Sequence, residues 1–131
     1  MSVPADWLKF AADDLAAAEV LLKARITNLV LFHSQQCVEK SLKALIAFEG
    51  RQMPKTHMLG ALINSISDMR FDEFAYGFEL LDQIYMPSRY PDALPGALPE
   101  GLPNAQQAAE ALDIARQIYT LVQEKLSPMG Q

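Results

Sequence analysis

The sequence holds a single cysteine, Cys37, among its 131 residues. No intramolecular disulfide can form, and a thiolate metal site is implausible without a second sulfur; no metal or cofactor is among the expectations for this chain. Long hydrophobic runs are also missing. Charges interrupt every apolar stretch well short of the ~20 residues that a membrane-spanning helix needs. The first residues lack the basic, then apolar, then small-residue order of a secretory signal, and the expected location is cytoplasmic. No segment alternates apolar and polar residues with the two-residue period of a strand, and no internal repeat is present. Bases are in the minority: 11 Lys and Arg against 16 Asp and Glu leave a net charge of −5. A general duplex-DNA coat is excluded on that balance, because such binding requires net neutralisation of phosphates.

What is present is a core. Half of the residues are hydrophobic and 21% are charged, a composition that excludes intrinsic disorder and fits one domain over residues 1–131. Ser2-Val3-Pro4 reads as a helix start, with Pro tolerated in the first turn and Asp6 favourable against the helix dipole. Leu8, Ala11, Ala12, Leu15, Ala18 and Leu22 then recur at three- and four-residue steps, predicting a first helix over 4–24. Asn28 is the expected cap of a second helix that runs to Glu49 and stops at Gly50. Its core stripe is Leu31, Cys37, Val38, Leu42, Leu45 and Phe48. A polar stripe of Gln36, Lys40 and Lys43, with Gln35 and Glu39 alongside, shares the helix.

Pro54 marks a loop, and Thr56 is the expected cap of a third helix over 57–69. Phe71-Asp72 opens a fourth helix with Phe74, Phe78, Leu81 and Tyr85 facing inward. Prolines at 87, 91, 95, 99 and 103 then forbid helix, since each removes a donor and clashes one turn back. This strap leads to Asn104, the cap of a last helix bearing Ala108, Leu112, Ala115, Tyr119 and Val122 to about Leu126. The predicted fold is all-α: an up-and-down bundle of four main helices plus a short extra helix, with a long Pro-rich strap before the last helix.

Charge is unevenly placed. Lys40, Lys43, Arg51 and Lys55 against Glu49 give residues 40–57 a charge of +3, so the remainder carries −5 − 3 = −8. Such an island can hold an anion locally, or its lysines can simply point to solvent. Arg89 and Asp92 flank the Tyr90-Pro91 pair after the fourth helix. There Arg89 can fork onto a phosphate, or act as an internal strut paired with Glu39 or Asp92. His57, just behind Thr56, can serve as a general base or hydrogen-bond the opposite helix. His33 borders either stripe of the second helix and is assigned no role.

Four blocks in order, Trp7 with Ala11-Ala12-Asp13-Asp14-Leu15, Gln35-Gln36-Cys37-Val38-Glu39-Lys40-Ser41-Leu42-Lys43-Ala44-Leu45, Thr56-His57-Met58-Leu59 and Arg89-Tyr90-Pro91-Asp92, resemble the HEPN domain family. The resemblance covers nearly the whole chain. It implies a four-helix bundle with one or two short extra helices, commonly a homodimer, often encoded beside a minimal nucleotidyltransferase. Some relatives are metal-independent ribonucleases, including toxins of toxin–antitoxin pairs. In these an arginine precedes, by four to six intervening residues, a histidine near the last long helix. Here no histidine follows Arg89 at that distance; Arg51 and His57 have the spacing, but lie before the third helix.

The expected function is therefore a non-catalytic module binding a nucleotide or short RNA end and partnering a minimal nucleotidyltransferase. Gln36, Lys40, Lys43, His57, Arg89 and Tyr90 would line its groove, the lysines as point charges, Arg89 as a fork and Tyr90 as a stacking face. The alternative is a ribonuclease using Arg51, His57 or Arg89 across a dimer cleft. The alanine-rich first helix with Trp7 is the expected dimer face.

Overall fold

The computed structural model describes residues 3–67, 69–84 and 96–127. Among these residues five helices follow one another: α1 Pro4–Lys23, α2 Thr27–Phe48, α3 Leu59–Ile63, α4 Ala75–Asp82 and α5 Ala105–Leu126, with a 3-10 turn, Asp72–Phe74, leading into α4. The fold is all-α, a bundle of four main helices (α1, α2, α4, α5) plus the short α3, as the periodicity predicts.

Helix α2 is the centre of the molecule. Leu31, Val38, Leu42, Leu45 and Ile46 are fully enclosed, and each such side chain contributes roughly 1.5–3 kcal/mol relative to exposure. Small residues let the neighbours come close. Ala11 and Ala18 of α1, Cys37 and Ala44 of α2, and Ala108, Ala111 and Ala115 of α5 all have zero exposure. Helices α1 and α2 run antiparallel, so that Trp7 meets Lys43 at one end while Asp14 meets Lys40 and His33 nearer the turn. That turn passes through Arg25 at φ +62°. Gly77 lets α4 approach α5, because a Cβ there would stand 2.6 Å from the Ile114 side chain.

Helix boundaries agree with the sequence at Pro4, at Gly50 (φ +73°) and at Asn104, whose side chain completes a capping box with Gln107. Elsewhere they differ. Asn28 lies inside α2 rather than capping it. Ile26 holds the cap position, and the neighbouring Thr27 hydroxyl donates to the Pro103 carbonyl at 3.2 Å, tying α2 to the end of the strap. The third helix is five residues long instead of spanning 57–69. Beyond it Ser65 and Ile66 bond three residues back, to Leu62 and Ile63, in a stretch where Asn64, Ser65 and Ser67 favour turns over helix. Thr56 does not cap α3; its hydroxyl accepts from the Met58 amide at 3.1 Å, before the helix begins. Phe48 leaves the core stripe at the last turn of α2 and is half exposed.

Phe74, Phe78 and Leu81 are buried as predicted. Tyr85, Pro87, Pro91 and Pro95 lie outside the described residues. The described end of the strap seats Gly96 against the Asn28 backbone, buries Leu98 and pairs Leu98 with Gly101.

Candidate functional site

The polar stripe of α2 does not face bulk solvent. Gln35 is fully buried, Glu39 is 4% exposed and Lys43 8%, because α1 covers one flank and the chain around His57 covers the other. Two buried charges on one helix need partners, and each finds the other. Lys43 Nζ donates to Glu39 Oε2 at 2.9 Å, one turn back along α2. The same oxygen is 2.9 Å from His57 Nδ1. Oxygen Oε1 of Glu39 accepts from Gln35 Nε2 at 3.2 Å, and that amide also reaches the His57 carbonyl at 3.2 Å. Gln36 donates to Gln35 Oε1 at 2.7 Å and closes the set. The Trp7 ring lies under the Lys43 ammonium, 5.4 Å away, so α1 contributes a cation–π contact to the same charge.

One turn earlier the arrangement repeats around an acid from α1. Asp14, buried between the helices, places Oδ1 2.8 Å from His33 Nδ1 and accepts from Lys40 Nζ on Oδ2 at 2.6 Å. Each carboxylate thus engages one lysine and one histidine. A carboxylate facing Nδ1 favours the neutral tautomer that carries its proton there. The seam holds two carboxylates and two ammoniums, a net charge of zero while the histidines are neutral.

A third acid stands beside this network. Asp82, at the end of α4, accepts from the Leu59 amide at 2.6 Å and the Gly60 amide at 3.2 Å, capping α3 from across the chain. Burial pushes its carboxyl above the usual carboxylate range. The two amide bonds oppose that shift, and the charge of Glu39 adds to it. The thiol of Cys37, pressed against the Ala115 carbonyl of α5, is pushed up to about 12 by burial, which makes it inert.

The structure therefore brings together Gln36, Lys40, Lys43, Glu39 and His57 along one face of α2, with the ammonium groups already on carboxylates. Glu39, which with Asp92 is one of two acids offered as a partner for Arg89, is bound to Lys43 and His57. Arg51 is not joined to His57; its guanidinium holds Glu49 at 2.8 Å and Ser67 at 3.0 Å. Arg89, Tyr90 and Asp92 lie outside the described residues. The sequence does not single out Asp14, His33 or Asp82 as members of this network. For Asp14 a signal existed: an acid set between Ala11 and Ala18 on the apolar stripe of α1 must be paired. Asp82 gave none, since its tie to Leu59 depends on the intervening chain. No group of three or more His, Cys, Asp and Glu able to hold a metal occurs among the described residues, and none of their helices is long and apolar enough to cross a membrane.

The chain is an all-α bundle whose second helix carries a buried amide–carboxylate–lysine network against the turn that bears His57. The family model for the HEPN domain matches residues 4–125, and the chain belongs to that family. Two solved structures share its fold over nearly the whole chain. ST0689, an archaeal HEPN homologue, is 30% identical with a TM-score of 0.77, over 97% of this chain and 100% of that one. TT1696 from Thermus thermophilus is 30% identical with a TM-score of 0.78, over 96% and 100%. The protein named "Putative toxin MJ1304" from Methanocaldococcus jannaschii is 31% identical over 94 residues, 66% of this chain. The match spans 62% of that protein's length.

Proposed function

We propose that this HEPN chain is a non-catalytic binding and assembly module that takes a nucleotide or a short RNA end and works beside a minimal nucleotidyltransferase. The observation that carries this reading is the pre-set alignment of Gln36, Lys40 and His57 along one rim. Lys40 and His57 retain 27% and 51% side-chain exposure while buried Asp14 and Glu39 hold them in place. Of these, the Gln36 amide and the Lys40 ammonium are donors, and groups fixed in this way lose little freedom when a phosphate arrives. Lys43 is too enclosed to touch a ligand and acts by balancing Glu39. Arg89 and Tyr90 would close the rim, the guanidinium as a fork on phosphate and the ring against a base. In sequence Arg89 follows Asp82 by seven residues, and Asp82 is bonded to Leu59 and Gly60, just beyond His57. With the seam itself neutral, Arg89 supplies the charge that makes an anion welcome.

Calorimetry with nucleoside mono- and triphosphates and a 5′-phosphorylated oligonucleotide tests the reading. Wild type binds, and the Lys40→Ala/Arg89→Ala variant binds at least about tenfold more weakly. Unchanged affinity in that variant, or no binding by the chain alone and with its nucleotidyltransferase, removes it.

A second reading is favoured by one distance, the 2.9 Å between His57 Nδ1 and the Glu39 carboxylate. A carboxylate that orients an imidazole is the usual arrangement of a general base, and a ribonuclease needs one to deprotonate a ribose hydroxyl. The name of the Methanocaldococcus relative points the same way. This reading predicts chelator-resistant cleavage of single-stranded RNA that His57→Ala abolishes and Arg51→Ala or Arg89→Ala reduces. Cleavage insensitive to His57→Ala removes it.

A further inference from the structure

Away from the α1–α2 seam, α3 and α4 enclose a groove of about 680 Å³. Its floor includes Ile63, Phe71 and Phe78. The two rings meet edge-on with centroids 5.8 Å apart, so the floor is set by packing rather than free to collapse. Asn64, Glu79 and Asp82 supply polar atoms on the walls. Arg70 is the one base among the described lining residues, and it holds Asp72 at 3.2 Å, so that pair cancels. Glu79 and Asp82 then give the groove its sign.

That sign selects a cation. The Asp82 carboxylate gives two of its roughly four lone-pair sites to the Leu59 and Gly60 amides and has acceptor capacity for a ligand. The negative charge of Glu39 also bears on Asp82 and raises its carboxyl further. A cation arriving in the groove offsets this crowding. Size argues against a protein partner. An interface engages about 20–30 residues a side, whereas a cavity of about 300–1,000 Å³ suits a small molecule.

We infer that the groove binds a small organic cation, an amine carried on an aromatic or branched aliphatic body. The ammonium sits on Asp82 and Glu79, and the body lies on Phe71 and Phe78. The site repels the phosphates proposed for the seam, so the two assignments stand or fall separately.

An amide-resolved NMR titration of the full chain tests this with phenethylamine, its neutral analogue phenethyl alcohol and the anion phenylacetate as probes. Saturable shifts at Gly60, Asn64 and Phe78 are expected with the amine and not with the other two. Affinity falls at least about tenfold in Asp82→Asn and in Glu79→Gln, the loss of a charge-assisted hydrogen bond. Asn at position 82 still accepts from the Leu59 amide, and Glu79 is exposed, so both variants keep the fold. Absence of saturable shifts with the amine, equal binding of the alcohol, or unchanged affinity in both variants overturns the inference.

Discussion

The Asp82 carboxylate on α4 receives the Leu59 amide at 2.6 Å, so the first turn of α3 is capped by a residue 23 positions further along the chain. A five-residue helix cannot sustain itself in isolation, since nucleation costs more than one turn returns. The α3–α4 bond therefore sets where α3 begins, and His57 with it. Replacing Asp82 by Ala removes the acceptor and should cost about 0.5–2 kcal/mol, as for other lost caps. Urea denaturation reads this as a lower midpoint at constant slope.

Asp82→Asn should behave differently, and pH separates the two effects. The folded carboxyl of Asp82 titrates above its unfolded value because of burial. Between those two values the native state holds the extra proton. Its contribution to stability is present below the unfolded value and is lost as pH rises through the folded one. Asparagine keeps the acceptor without the charge. At neutral pH the variant should match or exceed wild-type stability. As pH falls through the raised Asp82 value, wild type should gain on the variant, in paired midpoints measured across that range. A gap that stays constant with pH contradicts this account.

Glu39 and Lys43 present the opposite case, a pair whose members depend on each other. With side-chain exposures of 5% and 11%, removal of one leaves the other buried and uncompensated, a loss of about 3–5 kcal/mol. Glu39→Ala should approach that cost. Lys43→Met with Glu39→Gln should recover most of it, because methionine packs on the Trp7 ring and the glutamine carbonyl can still accept from Gln35. A double-mutant cycle showing simple additivity would mean that the two groups do not interact.

The contrast between these residues shows what the sequence can reveal. The spacing of Leu31, Val38 and Leu42, the Asn104 cap and the stop at Gly50 are written in local chemistry, and the bundle follows from them. The polar stripe is legible as a stripe, and its partners are not. Lys40 reads as a solvent-facing charge until the alanines of α1 bring Asp14 against it, and Lys43 reads as a ligand group until Glu39 claims it. His33 carries no distinguishing neighbour in sequence, yet Asp14 holds it across the seam. The extent of α3 departs from the sequence pattern for a related reason. Residues 57–69 contain enough apolar positions for a longer helix, but Asn64, Ser65 and Ser67 turn the chain, and the cap comes from α4.

Cys37 gives a direct reading of global opening. Its thiol is buried against α5 and pushed up to about 12, so at about pH 8 it is neither ionised nor accessible. Reaction with a water-soluble disulfide reagent should be slower in the folded chain than in denaturant by a factor on the order of a thousand or more, given ordinary domain stability. The folded-state rate should rise in Glu39→Ala about tenfold for each ~1.4 kcal/mol of stability lost. Fast labelling of the native chain would show that α5 lifts from α2 locally.

Two glycines separate backbone conformation from contact at the strap. Gly50 and Gly96 have similar left-handed angles, φ +73° and φ +79°. A Cβ at Gly50 meets nothing within 4 Å, whereas one at Gly96 would collide with the Asn28 carbonyl oxygen. Alanine at position 50 should therefore cost only the left-handed penalty of about 1–2 kcal/mol, and asparagine there should be better tolerated. Alanine at position 96 adds a collision with helix backbone, which a side-chain rotation cannot relieve, and the total should reach about 2–4 kcal/mol. Gly96→Asn should show no rescue, since the obstruction begins at Cβ. Because Gly96 and Thr27 fasten the strap to the start of α2, Gly96→Ala should also raise amide exchange at Leu98 and Gly101 more than at the α1–α2 seam. Equal costs at the two glycines would mean that the strap does not rest on Asn28.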